Sequence, residues 1–363
     1  MKINSLSLRN FRNYESLDIS FNPSRNIIVG ENAQGKTNLV ESVYMCSFAR
    51  SFRTSNSTDL VMFGKDMCLI SADIESSSFD RKIGISVTRQ GKKMITKDGK
   101  PVSRTAELLN NLVVVIFSPE DLRIIKDSPD KRRNFINKEI SQLRPRYFEC
   151  LKNYNDALKQ KNALLKNDVI MDEMLDIYDS QLAYNGYELV KYRRNFVDKL
   201  SACSSELQSR ISQGRETLEI TYSESCRADS AEQMMAEFAA SREKDRMYRS
   251  ASIGPHRDDL EFFINGKDAR KFGSQGQQRT IALCMKLAEV RIARDVLMEN
   301  PVLILDDVLS ELDIERQKFL LKEIDDVQLF ITSTELGDEM ISEMKDASIF
   351  NVSCGNITES TNV

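Results

Sequence analysis

One short stretch, GENAQGKT from residue 30 to residue 37, constrains the fold of this chain more than any other. It matches the pattern GxxxxGK[ST], follows the apolar strand-like run NIIVG and opens the helical pattern KTNLVESVYMCSFA. Backbone amides in such a loop point at phosphates, the lysine bridges the β- and γ-phosphates, and the last hydroxyl can bind Mg²⁺. The sequence therefore predicts a P-loop for ATP and Mg²⁺, formed by Gly30, Glu31, Asn32, Ala33, Gln34, Gly35, Lys36 and Thr37.

Two adjacent carboxylates follow a second apolar strand. The run Val302 to Leu305 leads into Asp306 and Asp307. Open α/β sheets place their ligands at the carboxyl ends of buried parallel strands. We therefore expect Asp306 to hold Mg²⁺ together with Thr37, and Asp307 to act as the general base for an attacking water.

A second candidate anion site lies in the run KFGSQGQQRT, residues 271–280, which opens a long helical pattern. Its serine and glycine stand at a helix N-terminus, where amides and the helix dipole favour negative charge. In ABC-type ATPases a serine-glycine signature closes over the γ-phosphate held by the opposite subunit, and SQGQQ resembles that motif. The resemblance implies that Ser274, Gly276 and Gln277 contact ATP bound by a second copy, and that Ser274 takes part in catalysis. A plain serine cap is the alternative for this run.

The pattern of strands and helices predicts an α/β fold, in which a P-loop ATPase head is split by a short antiparallel helical arm, and the resemblance of SQGQQ implies that this head is of the ABC type. Strand patterns separated by turn residues lie at both ends of the chain. Residues from about 120 to about 245 show the pattern of long, charged helices with leucines at regular intervals. We predict an N-terminal head lobe over 1–118, the helical arm over 119–247 with a turn near 166–172, and a C-terminal head lobe over 248–363. At about 1.5 Å per residue the arm would extend roughly 40 to 50 Å. An ordinary helical subdomain would show the same spacing of core residues and is the alternative to an arm.

Composition and charge limit the kinds of binding site and the cellular location that we expect. The net charge is −4, yet basic residues concentrate in two runs, 81–104 and 131–166, so a local phosphate-binding surface is compatible with the sequence. The seven scattered cysteines and the single histidine, His256, favour neither a disulfide framework nor a zinc site. No apolar window approaches the length of a membrane span. We expect a cytoplasmic protein.

Seven segments, in order along nearly the whole chain, resemble the RecF family of bacterial recombination mediators, which is related to the heads of structural-maintenance-of-chromosomes proteins. They are NFRNY, GENAQGKTNLVESVY, RSFRT, FSPEDLRIIKDSPDKRRNFIN, GPHRDDL, SQGQQRT and LILDDVLSELD. The resemblance implies an ATP-dependent homodimer that binds gapped, single- and double-stranded DNA. It also implies work with RecO and RecR to load RecA, a role in replication, repair and the SOS response, and weak, DNA-stimulated ATPase activity that resets the clamp.

The resemblance also implies a nucleotide contact for Arg12, beside the N-terminal hairpin. Two departures from broader relatives affect hydrolysis. ABC transporters carry a switch histidine after the strand that follows the paired carboxylates, whereas this chain has Ile331-Thr332-Ser333-Thr334. Chromosome-maintenance ATPases have a glutamine where Ser118 aligns. We therefore expect slow hydrolysis.

Three other functions share some of these motifs. A transporter nucleotide-binding subunit has every ATP motif, although the inserted arm and the LDD pair argue against it. A small-molecule kinase or GTPase has a P-loop, but it leaves SQGQQ unexplained, and the chain lacks NKxD. A structural dimer that only binds ATP would show hydrolysis that DNA leaves unchanged.

Overall fold

The chain folds into two compact units. A computed structural model describes residues 1–103, 105–169, 171–324, 326–334 and 346–360. The head unit comprises residues 1–122 and 285–363, and the arm unit comprises residues 123–284. The head unit thus contains both ends of the chain, and the arm unit is the insertion between them.

The head unit contains an antiparallel sheet of six strands in the order β2-β1-β4-β5-β6-β7. Its first strand alternates between buried and exposed residues, and the alternation changes phase where a register shift lies between Ile3 and Ser5. The strands are β1 (Lys2–Phe11), β2 (Tyr14–Ser20), β4 (Met67–Glu75), β5 (Asp80–Thr88), β6 (Lys93–Lys97) and β7 (Lys100–Pro101).

A second sheet of the head unit positions the predicted nucleotide residues. Its strand order is β15-β14-β3-β13-β12-β8, and all neighbouring pairs except β14 with β15 are parallel. Because the strands run in parallel, the carboxyl ends of β3, β12 and β13 meet at one edge. The strands are β3 (Arg25–Val29), β8 (Val114–Phe117), β12 (Val302–Asp306), β13 (Leu329–Ser333), β14 (Ala347–Ser353) and β15 (Asn356–Ser360). The helices are α1 (Lys36–Phe48) and α9 (Ile314–Glu323).

The arm unit combines helices with a small sheet. The sheet has the order β11-β10-β9. The helices are α2 (Pro129–Leu143), α3 (Pro145–Leu164), α4 (Asp172–Ile211), α5 (Ala231–Ala240), α6 (Arg242–Tyr248) and α7 (Ala269–Phe272), and α8 (Gln275–Leu297) begins here and ends in the head unit. The strands are β9 (Leu218–Ser223), β10 (Asp259–Ile264) and β11 (Lys267–Asp268).

The arm itself is a pair of packed helices, α3 and α4, joined near the predicted turn. Large apolar residues recur every seven positions on the buried side of the long helix, at Leu175, Leu182, Leu189 and Phe196. At 1.5 Å per residue α4 is about 60 Å long but α3 only about 30 Å. The paired section is therefore shorter than the sequence predicted.

The arm unit ends later than the predicted border at residues 247 and 248. Strand β9 pairs with β10 in antiparallel register, from Leu218 opposite Ile264 to Ser223 opposite Asp259. This pairing attaches the segment after residue 248 to the arm unit, so residues 248–284 do not belong to the head. The dipeptide Asn265-Gly266, which is typical of a hairpin turn in sequence, joins β10 to β11.

The sequence also predicts a short helix before a final strand, SIFNV, and this helix falls on residues 335–345, outside the described residues. Among the described helices, none has the length and apolar character that a membrane span requires.

Candidate nucleotide site

The P-loop lies between β3 and α1 and curves around its own lysine. The Lys36 side chain is buried, and its Nζ donates hydrogen bonds to the backbone oxygens of Gly30 at 2.7 Å and Glu31 at 3.0 Å. The ammonium group is therefore held within the loop, where phosphate oxygens are expected. The predicted residues of the loop are brought together as the motif requires.

Both glycines of the motif are required by their surroundings. A Cβ on Gly30 would lie 2.4 Å from the backbone oxygen of Val352, so no side chain fits there. Gly35 has φ of +122°, and a Cβ on it would lie 2.6 Å from Asn13 Nδ2. This backbone conformation is rarely adopted by residues with a side chain. Substitution at either glycine would displace the loop.

The loop is held from two sides by residues that the sequence did not single out. Asn13 Nδ2 donates to the backbone oxygen of Gln34 at 2.8 Å, and the buried Tyr14 hydroxyl donates to that of Gly35 at 3.0 Å. From the β14–β15 turn, the backbone amide of Cys354 donates to Gln34 Oε1 at 2.6 Å. Gln34 is thus fixed through its backbone and its side chain.

The predicted metal ligands lie together at the carboxyl edge of the parallel sheet. Thr37 Oγ1 donates to Asp306 Oδ1 at 3.1 Å, and Thr332 Oγ1 donates to the same oxygen at 2.7 Å. Burial raises the pKa of Asp306, and the hydrogen bond from Thr332 opposes that rise. A hydroxyl and a carboxylate at this distance are the hard oxygen donors that Mg²⁺ prefers. The residues therefore fit the predicted Mg²⁺ site.

Asp307, the predicted general base, follows at a turn in the backbone. Its φ is 53°, in the left-handed region that aspartate tolerates better than most residues. Its backbone amide donates to Thr332 Oγ1 at 2.9 Å, and its backbone oxygen accepts from Ser310 Oγ at 2.8 Å. These contacts fix the backbone of Asp307 and leave its partly exposed side chain outside the buried strand. Its role as base stays a prediction.

Arg12 lies next to helix α1, where it forms an ion pair that the sequence did not indicate. Its Nε and Nη2 donate to the two carboxylate oxygens of buried Glu41 at 2.9 and 2.7 Å, and Nη1 donates to the backbone oxygen of Asp59 at 2.9 Å. Such a bidentate pair is strong and directional. Arg53 reaches the same helix through a 2.7 Å bond to Asn38 Oδ1. A nucleotide contact of Arg12 stays a prediction.

The run SQGQQ, residues 274–278, here called the signature segment, lies at the start of α8 and belongs to the arm unit. Ser274 and Gln277 form a capping box, in which Ser274 Oγ accepts from the Gln277 amide at 3.2 Å and Gln277 Oε1 accepts from the Ser274 amide at 2.9 Å. Glu216 holds this box, because its Oε1 accepts from Gln277 Nε2 at 2.8 Å. The other oxygen of Glu216 accepts at 2.6 Å from Gln208, in the last turn of α4. The exposed Ser274 is thus connected to the long arm helix by hydrogen bonds.

Ser118, predicted to replace a glutamine, forms its hydrogen bonds within its own loop. Its amide and hydroxyl both donate to Asp121 Oδ2, at 2.8 and 3.0 Å. A serine is also shorter than a glutamine, so its reach beyond the loop is small.

The structure reduces the number of bases in the run 131–166 that are exposed and could contact DNA. Arg132 is buried and forms a bidentate pair with Asp259 at 2.6 and 2.8 Å. Lys161 is buried between Asp179 at 2.8 Å and Asp245 at 2.7 Å. These two cations stabilise the arm unit and are removed from any DNA surface. The exposed bases that remain in this run are Lys131, Arg144, Arg146, Lys152, Lys159 and Lys166.

The basic run 81–104 lies on the β5–β6–β7 part of the head unit, apart from Arg104, which lies outside the described residues. Lys93 donates to the backbone oxygen of Ala49, and burial lowers its pKa. Arg81 pairs with Asp98 at 2.9 Å. The exposed bases of this run are Lys82, Arg89, Lys92 and Lys100.

Comparisons with known proteins agree over nearly the full chain. Residues 2–358 match the family described as RecF/RecN/SMC N terminal domain. The chain is 42% identical over 359 residues to the DNA replication and repair protein RecF of Clostridium perfringens (strain 13 / Type A), covering 98% of this chain and 99% of that protein. The protein of the same name from Clostridioides difficile (strain 630) is 42% identical over 364 residues, with 98% of each covered.

Solved structures give the same result at the level of the fold. A structure of the recombination mediator protein RecF-ATP in the RecFOR pathway superimposes with a TM-score of 0.91 at 36% identity, covering 99% of this chain and 98% of that one. The Smc head domain with an extended coiled coil, bound to the C-terminal domain of ScpA, from Pyrococcus furiosus, gives a TM-score of 0.58 at 16% identity. The predicted ABC-type head fold is confirmed.

Proposed function

The chain belongs to the RecF family, and on this premise we propose that it is an ATP-dependent, dimerising DNA-binding protein of DNA replication and recombinational repair. The observation that carries the proposal is the bond between Thr37 and Asp306, because it joins the P-loop to the carboxylate strand in the geometry of an ATPase head. The similarity to a RecF-ATP structure supports ATP as the nucleotide.

Each residue of the head site has a role in this proposal. The loop amides and Lys36 hold the β- and γ-phosphates, while Thr37 and Asp306 would hold Mg²⁺, which neutralises phosphate charge when bound. Asp307 accepts the proton of the water that attacks the γ-phosphate. Hydrolysis is slow and acts as a conformational switch.

Dimerisation completes the site from a second copy. The hydroxyl of Ser274 accepts from the Gln277 amide, so its own hydrogen can be donated to a γ-phosphate oxygen. The exposed position of Ser274 and the helix dipole at the start of α8 favour such an anion. ATP would then lie between one copy's P-loop and the other copy's signature segment.

The family resemblance extends the proposal to DNA and partner proteins. We infer that the dimer binds gapped DNA at junctions of single and double strands, stimulates its own ATPase there, and works with RecO and RecR to load RecA, with a role in the SOS response. The exposed bases of the two basic runs supply the phosphate contacts. Affinity for DNA should therefore fall steeply with salt concentration, and a flat salt response would remove these residues from the interface.

Sedimentation of the purified full chain, with and without ATP, Mg²⁺ and gapped DNA, tests the proposal. We expect a monomer without ATP and a dimer with ATP, and Asp307→Asn should make the dimer persist because hydrolysis is blocked. Ser274→Arg should retain ATP binding but remain monomeric, since the added cation and bulk obstruct the second copy. A monomer at saturating ATP and Mg²⁺, or a stable dimer of Ser274→Arg, would refute ATP-mediated dimerisation.

A further inference from the structure

An apolar patch of four residues, Phe63, Met67, Leu69 and Met94, is exposed at one face of the antiparallel sheet in the head unit. Leu69 on β4 and Met94 on β6 both lie opposite Ser86 of β5, and Met67 shares their face because it stands two residues before Leu69. Phe63, shortly before β4, is 95% exposed, which is the highest fraction among the large apolar side chains of the described residues. Exposed apolar residues that cluster in this way mark a binding surface.

The backbone around Phe63 is fixed, so its exposed ring has a defined position. Met62 uses both of its backbone groups, because its amide donates to the Asn10 oxygen at 2.8 Å and its oxygen accepts from the Lys65 amide at 3.1 Å. The second bond closes a tight turn that carries Phe63. An apolar ring on such a turn loses little further conformational freedom when a ligand covers it.

The edge of the apolar patch carries a net positive charge. The guanidinium carbon of Arg89 lies 5.8 Å from the centre of the Phe63 ring, and the Arg89 amide donates to the Asp66 oxygen at 2.8 Å. Lys92 is exposed in the same turn between β5 and β6. Neither cation forms an ion pair in the part of the chain that the structure describes, and Asp66 is the exposed carboxylate beside them. Two cations against one carboxylate attract phosphates.

The rest of this sheet face is small and largely neutral. The next row across strands β4, β5 and β6 consists of Ser71, Gly84 and Thr96. Arg9, on β1, is paired with Asp18 at 2.7 Å. Small side chains leave the face flat, and hydroxyls can donate hydrogen bonds to phosphate oxygens. A polynucleotide strand can therefore lie across this face.

A single strand of nucleic acid fits these features better than a duplex does. In a duplex the bases are stacked on one another and reach a protein only by their edges in the grooves. Single-strand sites combine cations that contact the phosphates with aromatic rings on which unpaired bases stack. An exposed ring beside two cations has this composition.

We propose that the apolar patch binds the single-stranded part of gapped DNA, with one unpaired base stacked on Phe63. Arg89 and Lys92 contact the flanking phosphates, and the other three residues of the patch contact the apolar surfaces of neighbouring sugars and bases. The single-stranded side of the junction is thereby assigned to the head unit, on the premise of the DNA-binding function proposed above.

The chain contains no tryptophan, so Phe63→Trp adds a single fluorescent reporter at the patch. With ATP and Mg²⁺ present, oligothymidylate should quench this fluorescence in a saturable way, because a base stacks on the indole ring. Oligoglutamate should leave it unchanged. Met298→Trp is the matched control, since Met298 is 87% exposed in the head unit outside the patch, and its replacement should show no quenching by either probe.

Affinity for gapped DNA separates the contribution of stacking from that of charge. Phe63→Ala should weaken binding about tenfold, as expected for the loss of one stacked base, and Phe63→Tyr should bind as the unmodified chain does. Arg89→Gln should reduce the slope of log affinity against log salt concentration by about 0.7, as for one phosphate contact on a single strand. Binding of a fluorescent ATP analogue should be unchanged in all three variants.

Unweakened binding of gapped DNA by Phe63→Ala, or unquenched fluorescence in Phe63→Trp, would overturn the proposal while the DNA-binding function stands. Failure of the unmodified chain to bind any DNA in the presence of ATP would refute that function, and this assignment with it. Equal quenching by oligoglutamate would identify an acidic protein partner, and loss of the ATP-dependent dimer in Phe63→Ala would identify a second copy. Either of these results would also overturn the proposal.

Discussion

His256 should make the stability of the protein sensitive to mildly acidic pH. Its Nε2 lies 3.1 Å from the Ala251 backbone oxygen, and its Nδ1 lies 2.7 Å from the Tyr154 hydroxyl. A carbonyl can only accept, so Nε2 carries the proton and Nδ1 accepts from the tyrosine. Both bonds suit the neutral ring, and burial lowers the pKa of His256 from 6.5 to about 4.

The size of the effect follows from these two pKa values. The unfolded chain binds a proton below about pH 6.5, whereas folded His256 resists protonation until about pH 4. Stability is therefore complete above pH 6.5 and decreases as the pH falls toward 4. Linkage gives a loss of about 2 kcal/mol between pH 7 and pH 5, and about 3 kcal/mol in full.

The assay compares urea unfolding of the unmodified chain and His256→Gln at pH 7 and pH 5. Carboxylates titrate in both proteins and cancel, so the variant should lose about 2 kcal/mol less over this range. Because His256 is the single histidine of the chain, NMR titration of one imidazole reports its pKa directly. A titration midpoint near 6.5, or the same pH dependence in both proteins, would refute the reasoning. Retained ATP hydrolysis in His256→Gln at pH 7 would support a structural role for this residue.

Three further changes test the P-loop site of the head unit and the signature segment of the arm unit. Gly35→Ala should abolish ATP binding, measured with a fluorescent ATP analogue, because its Cβ would lie 2.6 Å from a neighbouring nitrogen; unchanged affinity would contradict that geometry. Thr332→Val removes the hydroxyl that is bonded to Asp306. Half-maximal hydrolysis should then need about tenfold more Mg²⁺, as expected for the loss of one hydrogen bond to a charged group. Thr332→Ser keeps the hydroxyl and should restore the original Mg²⁺ requirement. Glu216→Ala frees the side chain of Gln277 and should weaken the ATP-dependent dimer about tenfold in sedimentation; loss of ATP binding by the monomer would contradict this assignment.

The sequence predicted the candidate P-loop site because its elements are contiguous. Buried parallel strands appear as apolar runs, so NIIV and VLIL could be recognised together with the loop and the carboxylates that follow them. The contact between Thr37 and Asp306 spans 269 positions along the chain. It was predictable only because a P-loop and a carboxylate strand imply a shared sheet edge.

Supporting contacts from distant segments could not be predicted in the same way. Cys354 and Asn13 hold Gln34 from the two ends of the chain, and neither residue type indicates such a contact. Local composition was also misleading in the basic run 131–166, because Arg132 and Lys161 look like surface charges, whereas the fold buries both and places carboxylate partners beside them. The border predicted near residue 248 was misplaced for a related reason. Strand β9 pairs with β10, which lies far from it along the sequence, and local patterns do not show such pairing.

The contacts of Thr332 give a physical reason to expect slow hydrolysis. Among the residues that follow Phe330, the fully buried Thr332 hydroxyl donates to Asp306 and accepts from the Asp307 amide. A hydroxyl used in this way supports the proposed metal ligand and the turn, and it has no proton left to donate to a water molecule. Asp307, the proposed base, has no switch histidine at the end of β13, where the chain has Thr332, Ser333 and Thr334. We therefore expect a long-lived ATP state, as the proposed ATP-dependent dimer requires, and a fast single-turnover rate would show that another group positions the water.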